Sequence, residues 1–276
     1  MNNCIFITGA AAGIGQETAR LFASKGWFVG AADRDEAALA SLESELGDER
    51  CSTHIMDVVD ETSVRQGLAD FASRTGGRLR LLHNNAGILK VGPFEKINLA
   101  AHRAVVEVNV IGLMTVLHGA FPYLKATPGA QVVNMSSASA AYGIPDFASY
   151  SASKHAVRAM TEALDIEWEP HDIRVCDLMP PFVNTGMVQQ NEQGSRLFER
   201  LGVNLTPGVV AAQVWAQVEQ PRLHRPVSMQ FRALWPIAKS APTSVTRRVL
   251  RLSLIHISEP TRRYAIGDAG VCVKKK

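Results

Sequence analysis

The sequence predicts an α/β fold in which a parallel, doubly wound sheet carries helices on both faces. Three observations carry that expectation. Short apolar runs alternate with stretches of helical periodicity from Cys4 to Met179. The first run ends in a glycine-rich turn that opens a helix. No internal repeat or low-complexity linker breaks the alternation. Strands joined through helices run parallel, with helices covering both faces of the sheet. Right-handed crossovers then leave ligands outside the carboxyl ends of the strands.

The elements follow in order. Cys4–Thr8 is a short apolar run stopped by Gly9, and reads as a buried strand. In Gly13–Lys25, Ile14, Thr18, Leu21 and Phe22 share one helical face. Trp27–Ala32 is the second strand and Glu36–Leu46 the second helix. Thr53–Met56 and Val64–Ser73 form the third pair. Leu79–His83 is the fourth strand, followed by a long helical stretch over roughly Leu99–Leu124. Gln131–Met135 is the fifth strand, Ser149–Glu169 a helix and Arg174–Met179 the sixth strand. After Pro180 the pattern becomes irregular, as expected of a segment that covers a ligand cleft.

Composition narrows the function classes. With 276 residues, 46% hydrophobic and 20% charged, the chain has enough apolar content for a core, which excludes disorder as its main state. Cys4, Cys51, Cys176 and Cys272 are widely spread without a Cys-x-x-Cys pair, so neither a disulfide framework nor a metal site is expected. The opening run lacks a basic segment and is too short for a signal peptide. Val105–Phe121 contains Glu107, Asn109 and His118, too polar and too short for a membrane span. A soluble, cytoplasmic body is expected. A formal charge of +3 gives little reason to expect a nucleic-acid partner.

Thr8-Gly9-Ala10-Ala11-Ala12-Gly13-Ile14-Gly15 sits between strand and helix. A dinucleotide pyrophosphate needs close backbone approach, which glycine permits, and the helix start offers N–H groups and a positive dipole end. Gly15 lets that helix pack closely on the sheet. Asp33 ends the second strand, where a carboxylate accepts from both ribose hydroxyls and repels a 2′-phosphate. That favours NAD over NADP. Ala12 supplies no cation for an extra phosphate, but Arg34 is a guanidinium beside the ribose that is able to hold one, so NADP stays open.

Tyr150-Ser151-Ala152-Ser153-Lys154 puts Tyr150 and Lys154 at i and i+4, on one face of a helix. A phenol with a pKa of about 10 is a poor proton-transfer group at neutral pH. A neighbouring ammonium favours the phenolate and is expected to lower that value, making Tyr150 a usable acid or base. Ser137 follows the fifth strand, placed for its hydroxyl to bond a substrate oxygen. His54, His83, His102 and His118 show no metal spacing and read as structural or exposed; His155 should point away from the catalytic face, and Cys176 reads as buried and inert.

Together, Thr8–Gly15, Asn84-Asn85-Ala86-Gly87, Asn109-Val110-Ile111-Gly112, Ser137 and Tyr150-x-x-x-Lys154 resemble the short-chain dehydrogenase/reductase family, in its compact single-domain branch. The motifs run in order over about Asn3 to Thr185. The resemblance implies a Rossmann-like sheet of about seven parallel strands in three α/β/α layers, and a nicotinamide cofactor. It implies Tyr150 as acid/base, Ser137 as orienting hydrogen-bonder, and Lys154 as the group that lowers the tyrosine pKa and holds the nicotinamide ribose. Asn109 would support a water-linked proton relay. Thr8, Gly9, Gly13, Ile14, Gly15, Asp33, Arg34, Asp57, Val58, Asn85, Ala86, Gly87, Val183 and Thr185 would meet the cofactor with Tyr150 and Lys154. A homodimer or homotetramer is implied through Leu99–Leu124 and Ser149–Glu169. The chain departs from the family at Pro180-Pro181, where Pro-Gly is usual; Pro181 removes an N–H and stiffens the entry to the substrate lid.

The expected reaction is hydride transfer between an alcohol carbon and nicotinamide. A small-molecule secondary alcohol or ketone, apolar in character, is the expected substrate, because Tyr142, Ile144, Phe147, Phe182, Met187, Leu197 and Phe198 line the presumptive wall. The same residues would equally pack a helical lid, expected over about 182–222, or a subunit interface.

The single domain is expected over 1–251. Leu252–Arg262 reads as the translation of a transposase sequencing adapter at all eleven positions, and 252–276 is expected to be a non-native, unstructured tail on a native chain cut short near Arg251. The tail's Arg262, Arg263, Lys274, Lys275 and Lys276 against Glu259 and Asp268 account for the whole +3, leaving the body neutral. The stretch Phe231–Arg251, with Leu234, Trp235, Ile237, Val249 and Leu250 among basic residues, reads either as a solvated terminal helix or as an amphipathic end touching a membrane surface.

Overall fold

A computed structural model describes residues 3–189 and 205–240, with a few positions between 242 and 248. Strands β1 (Cys4–Thr8), β2 (Phe28–Asp33), β3 (Cys51–Ile55), β4 (Leu81–Asn84), β5 (Ala130–Met135), β6 (Ile173–Met179) and β7 (His224–Pro226) pair in the order β3-β2-β1-β4-β5-β6-β7. Every pairing is parallel. The order reverses between β1 and β4, which opens a crevice at their carboxyl ends. The seven-stranded Rossmann-like sheet is the architecture the sequence predicts.

Helices α1 (Gly13–Ser24), α2 (Glu36–Leu46), α3 (Glu61–Thr75), α4 (Leu99–Val106), α5 (Leu113–Lys125) and α6 (Ala148–Glu167) join the first six strands. Helices α7 (Gly186–Gln189), α8 (Pro207–Glu219) and α9 (Met229–Ser240) follow β6. Asp35 and Asp60 cap α2 and α3 by accepting first-turn N–H groups, which places both helix starts. The core has two layers. On one face, Ile5, Ile7, Val29 and Ala31 meet Ala19, Phe22 and Leu39. On the other, Phe6, Leu82, Val132 and Val175 meet Leu68, Phe71, Val116 and Val157.

Three expectations need correction. The predicted lid is shorter than 182–222, because α8 is a core helix. Its Val210, Ala211 and Val214 are fully buried, and Trp215 packs edge-on against Phe22 and Trp27. The long helical stretch is interrupted: Glu107–Gly112 between α4 and α5 is π-helical, and it carries Asn109. Counted through that segment, Leu99–Lys125 is a 27-residue run, long and apolar enough by length and composition to cross a membrane. Its buried side, including Val105, Val116, Leu117 and Ala120, nevertheless lies in the domain core, while Leu99, Val106, Ile111 and Met114 are exposed where the resemblance implies a subunit interface. Finally, the compact unit is Met1–Ser240, shorter than 1–251. Phe231 is buried and Trp235 packs on His224, so these two residues face the domain rather than a membrane. The 252–276 tail, Val249 and Leu250 lie outside the described residues.

The short strand β7 is tied down by charge. His224 Nδ1 lies 3.0 Å from Asp177 Oδ2 and Nε2 lies 2.9 Å from Glu162 Oε1. Only a protonated ring donates from both nitrogens. Burial works against that charge, but the bonds to Asp177 and Glu162 outweigh it and raise the His224 pKa. The resulting stabilisation is fully present below the unfolded value of about 6.5 and is lost as pH rises through the folded value. The melting-temperature gap between wild type and His224→Gln is therefore expected to be widest just below about pH 6.5 and to narrow in mildly alkaline buffer. A gap that does not change with pH would contradict this assignment.

Candidate active site

The crevice holds two adjoining cavities of about 340 and 150 Å³ that share Gly9, Asp33, Ala86 and Gly87 in their walls. The smaller is bounded by Arg34, Asp57 and Val58, and the larger runs past Gly13 and Ile14 to Ser137, Tyr150 and Lys154.

The glycine turn is shaped for close approach. Gly9 and Gly13 have φ of +67° and +56°, the left-handed region that glycine enters without strain. A Cβ on Gly15 would lie 2.1 Å from the Gly9 carbonyl oxygen, so only glycine allows α1 to start here. No side chain caps α1 and no acidic residue stands in its first turn. Its N–H groups thus face the cavity end without a carboxylate competitor, as an anion site requires.

A second set of bonds fixes this turn to β4. Thr8 Oγ1 accepts from the Asn85 and Ala86 N–H groups at 3.0 Å each. Asn85 Nδ2 donates to the Thr8 and Gly9 carbonyls at 3.0 and 3.1 Å. Thr8 and Gly15 were expected to touch the cofactor; both are instead buried behind the cavity wall, where they shape the turn.

Asp33 is held by backbone. Its Oδ2 accepts from Ala11 N at 3.0 Å, and Oδ1 accepts from Arg34 N and Asp35 N at 2.7 and 3.2 Å. Arg34 turns toward Asp57, 3.5 Å away, with most of its side chain exposed. Such an exposed pair is weak and leaves the guanidinium able to re-aim.

Tyr150 stands in the first turn of α6, with Lys154 one turn on, and Ser137 leaves β5 as the cap of the turn Ala138–Ala140. Ser137 Oγ accepts from Ser139 N at 3.2 Å. The Ser137 hydroxyl is near enough to the Tyr150 phenol to favour its ionised form. Lys154 is buried, donates to the Met135 carbonyl at 2.8 Å, and lies 5.5 Å from the Tyr150 ring centroid. Burial pushes the Tyr150 phenol up to about 12, with the Ser137 hydroxyl pulling it back. Burial also pushes Lys154 down to about 8. The ammonium donates to the Met135 carbonyl and lies over the ring face of Tyr150.

Asn109, from the π-helical segment, does not line the cavity. Its amide accepts from Ile88 N at 2.7 Å and donates to Ile88 O and Ser153 Oγ. It braces the strand-end segment that carries Gly87. π-Helical turns often occur at functional sites, because they re-aim one residue without ending the helix.

Val183 and Thr185 line the cavity, and Val183 forms a parallel bridge with Leu205. The expected apolar wall is only partly right. Phe182 and Met187 line the cavity; Ile144 and Phe147 are buried, with Phe147 packed against Phe182 at 5.5 Å, and Tyr142 is set back. Leu197 and Phe198 lie outside the described residues. Sequence reasoning missed Leu89, Pro180 and Pro181 as wall residues; Leu89 follows Gly87 closely enough for its register to have signalled this. Among the histidines, His54, His83 and His102 are buried, while His155 Nδ1 donates to the Ser151 carbonyl away from the cavity. Cys176 is buried, and burial pushes its thiol up to about 12, which makes it unreactive.

Comparison with known proteins agrees with this geometry. A profile of the short chain dehydrogenase family matches residues 3–196. The chain is similar to sulfoacetaldehyde reductase 2 of Chromohalobacter salexigens, with 34% identity over 67% of this chain and 74% of the relative. It is similar to cyclohexanol dehydrogenase of an Acinetobacter species, with 31% identity over 70% of this chain and 77% of the relative. Its structure resembles that of the 3-ketoacyl-(acyl-carrier-protein) reductase of Brucella melitensis in complex with NADH, at a TM-score of 0.73 and 28% identity, covering 82% of this chain and 96% of that one.

Proposed function

The chain belongs to the short-chain dehydrogenase/reductase family, and from that premise we propose that it interconverts an apolar secondary alcohol and its ketone with NAD, using Tyr150 as the acid/base. Members of this family are oxidoreductases acting on alcohol or ketone substrates with a nicotinamide cofactor. The observation that carries the proposal is the convergence of Ser137, Tyr150 and Lys154 at one end of a crevice whose other end is the glycine turn and Asp33.

The residues present fit a dinucleotide. The turn at Gly9–Gly15 and the uncapped start of α1 suit a pyrophosphate. The Asp33 carboxylate suits a ribose and disfavours a 2′-phosphate. The cofactor, when bound, supplies the hydride acceptor or donor. In reduction, Tyr150 gives its phenolic proton to the carbonyl oxygen as hydride reaches the carbon. In oxidation, it takes the hydroxyl proton as the hydrogen on the same carbon leaves with its electron pair. The raised phenol pKa supports the proton-donating direction, since the neutral phenol is the dominant form below about 12. Ser137 orients the reacting oxygen. Leu89, Phe182 and Met187 give the substrate end an apolar wall, and Lys154 is the one cation among the described residues that line the larger cavity. That supports a neutral rather than an anionic substrate.

The experiment is a panel of secondary alcohols and ketones, cyclohexanol and cyclohexanone included, followed at the nicotinamide absorbance band. Turnover of neutral cyclic or branched members supports the reading. Tight NAD binding without turnover of any member would make the protein a nicotinamide-binding regulator instead.

The cofactor choice has its own test. Asp33→Asn keeps the shape and one acceptor but removes the charge. Bonds to charged groups are worth about 1.5–3 kcal/mol, so the ratio of kcat/KM for NAD to that for NADP is expected to fall about ten- to hundredfold. An unchanged ratio, or a wild type that already prefers NADP, would show that Arg34 rather than Asp33 dominates the ribose end.

A further inference from the structure

The face of α6 that carries Tyr150 and Lys154 continues, at the same four-residue spacing, to Arg158 and Glu162. Arg158 makes three contacts. Its Nε donates to Glu162 Oε1 at 2.9 Å, its Nη1 donates to the Ala140 carbonyl at 3.4 Å, and its guanidinium carbon lies 5.0 Å from the Trp235 ring centroid.

Ala140 is the last residue of the turn Ala138–Ala140, which Ser137 caps. The other end of that turn is held by the Ala138 N–H, which donates to the Pro180 carbonyl at 2.9 Å. Ala140 is fully buried and packs with Met179 and Phe231, while Ala138, Ala141 and Trp235 lie against the same cluster. Trp235 also meets the His224 ring at 5.9 Å, and His224 in turn bonds Glu162. The helix α9 is thus joined to the serine turn through the Arg158 guanidinium as well as through Phe231, and that guanidinium is itself fixed on both sides.

We propose that Arg158, clamped between the Trp235 ring and the Glu162 carboxylate, is a positioning residue that sets the Ala138–Ala140 turn and so presents the Ser137 hydroxyl to the reacting oxygen. Trp235 acts with it as the outer jaw of the clamp. The inference rests on the reading of Ser137 as the orienting hydroxyl. The physical reason is rigidity. A cap whose turn is pinned at both ends has one orientation, and misplacing a reacting contact by about 1 Å can cost about 10²-fold in rate. Lysine is a poor substitute, since one ammonium cannot serve a carboxylate, a carbonyl and a ring face in the fixed plane of a guanidinium.

The test is a double-mutant cycle on the full chain, with two readouts. Tyrosine carrying ¹³C at Cζ reports the phenol's hydrogen bonding at neutral pH, with the Tyr150 signal assigned by its loss in Tyr150→Phe. The second readout is kcat and the KM for NAD, measured with the panel alcohol that wild type turns over. Arg158→Met keeps the aliphatic stem of the side chain and removes the guanidinium from Glu162, the Ala140 carbonyl and the Trp235 ring. It is expected to move the Tyr150 signal in the same direction as Ser137→Ala and to lower kcat about tenfold, with the KM for NAD within about twofold. In the Ser137→Ala background it is expected to have little further effect, because groups acting through one contact do not add. Arg158→Lys should fall between Arg158→Met and wild type, and it serves if the methionine variant does not fold.

An Arg158→Met signal and kcat equal to wild type would overturn the proposal. So would a loss that adds in full to that of Ser137→Ala, since Arg158 would then act elsewhere. If Ser137→Ala alone keeps wild-type kcat, the reading of Ser137 fails, an outcome visible without any Arg158 variant, and the proposal falls with it.

Discussion

Tyr150→Phe is expected to lower kcat by about 10²–10⁴-fold, the usual contribution of a positioned acid or base. The change removes one oxygen and keeps the ring over which Lys154 lies at 5.5 Å. In the proposed reading the cofactor is held by the glycine turn, Asp33 and Lys154 rather than by the phenol, so the KM for NAD is expected to stay within about twofold. The Ser137 hydroxyl remains in this variant to bond the substrate oxygen alone. For that reason some residual turnover is expected rather than none. A variant as active as wild type would remove Tyr150 from the chemistry and leave the proton to another group.

Gly15→Ala is expected to act through packing rather than chemistry. The new methyl would stand 2.1 Å from the Gly9 oxygen and 2.9 Å from Asn85 Nδ2. Gly9 O is backbone, and it also accepts from that same Asn85 amide, so neither neighbour yields cheaply. The start of α1 has to move away from the turn. Overpacking of this kind costs about 1–3 kcal/mol, equivalent to a melting-temperature drop of about 2–10 °C for a domain of this size. The displaced helix start also takes its N–H groups from the phosphate position, so the Kd for NAD should rise by at least about tenfold, the effect of losing about 1.4 kcal/mol. Calorimetry and a binding titration on the same sample check both. Wild-type affinity together with wild-type stability would mean that the turn tolerates a side chain, contrary to the geometry.

The parts of the molecule legible in the sequence are those where local pattern and tertiary role coincide. The buried parallel strands β1, β2, β4, β5 and β6 show largely as apolar runs because both faces are covered, and Glu36–Leu46 shows its ends because Asp35 and Gly47 flank it. Tyr150 and Lys154 were legible because helical spacing alone puts them on one face. Strand β7 was not, since His-Arg-Pro is neither apolar nor alternating; its place is set by pairing with β6 and by the Asp177–His224–Glu162 contacts. Helix α8 hid behind Pro207 and Gly208, and only its packing on α1 shows that it belongs to the core.

The site was legible in its composition and less so in its division of labour. Thr8, Gly15 and Asn109 were recognisable by type and position, yet whether such a residue touches a ligand or braces one that does depends on which way its side chain turns. The same holds for Lys154. Its distance in sequence from Tyr150 predicts a shared face, but the Met135 carbonyl that captures its ammonium comes from β5, 19 residues away. Phe147 and Phe182 illustrate the limit for apolar residues. Both are aromatic and near the site, but one is buried and the other lines the cavity.

Direct hydride transfer at this crevice is tested by isotope tracing. NADH carrying deuterium at the transferable C4 position is supplied with the panel ketone reduced fastest, and the alcohol product is weighed by mass spectrometry. Wild type is expected to form product with one deuterium on the carbinol carbon, and Tyr150→Phe to form that same labelled product far more slowly. An alcohol without deuterium, or no ketone in the panel reduced by a protein that binds NADH, would contradict direct transfer.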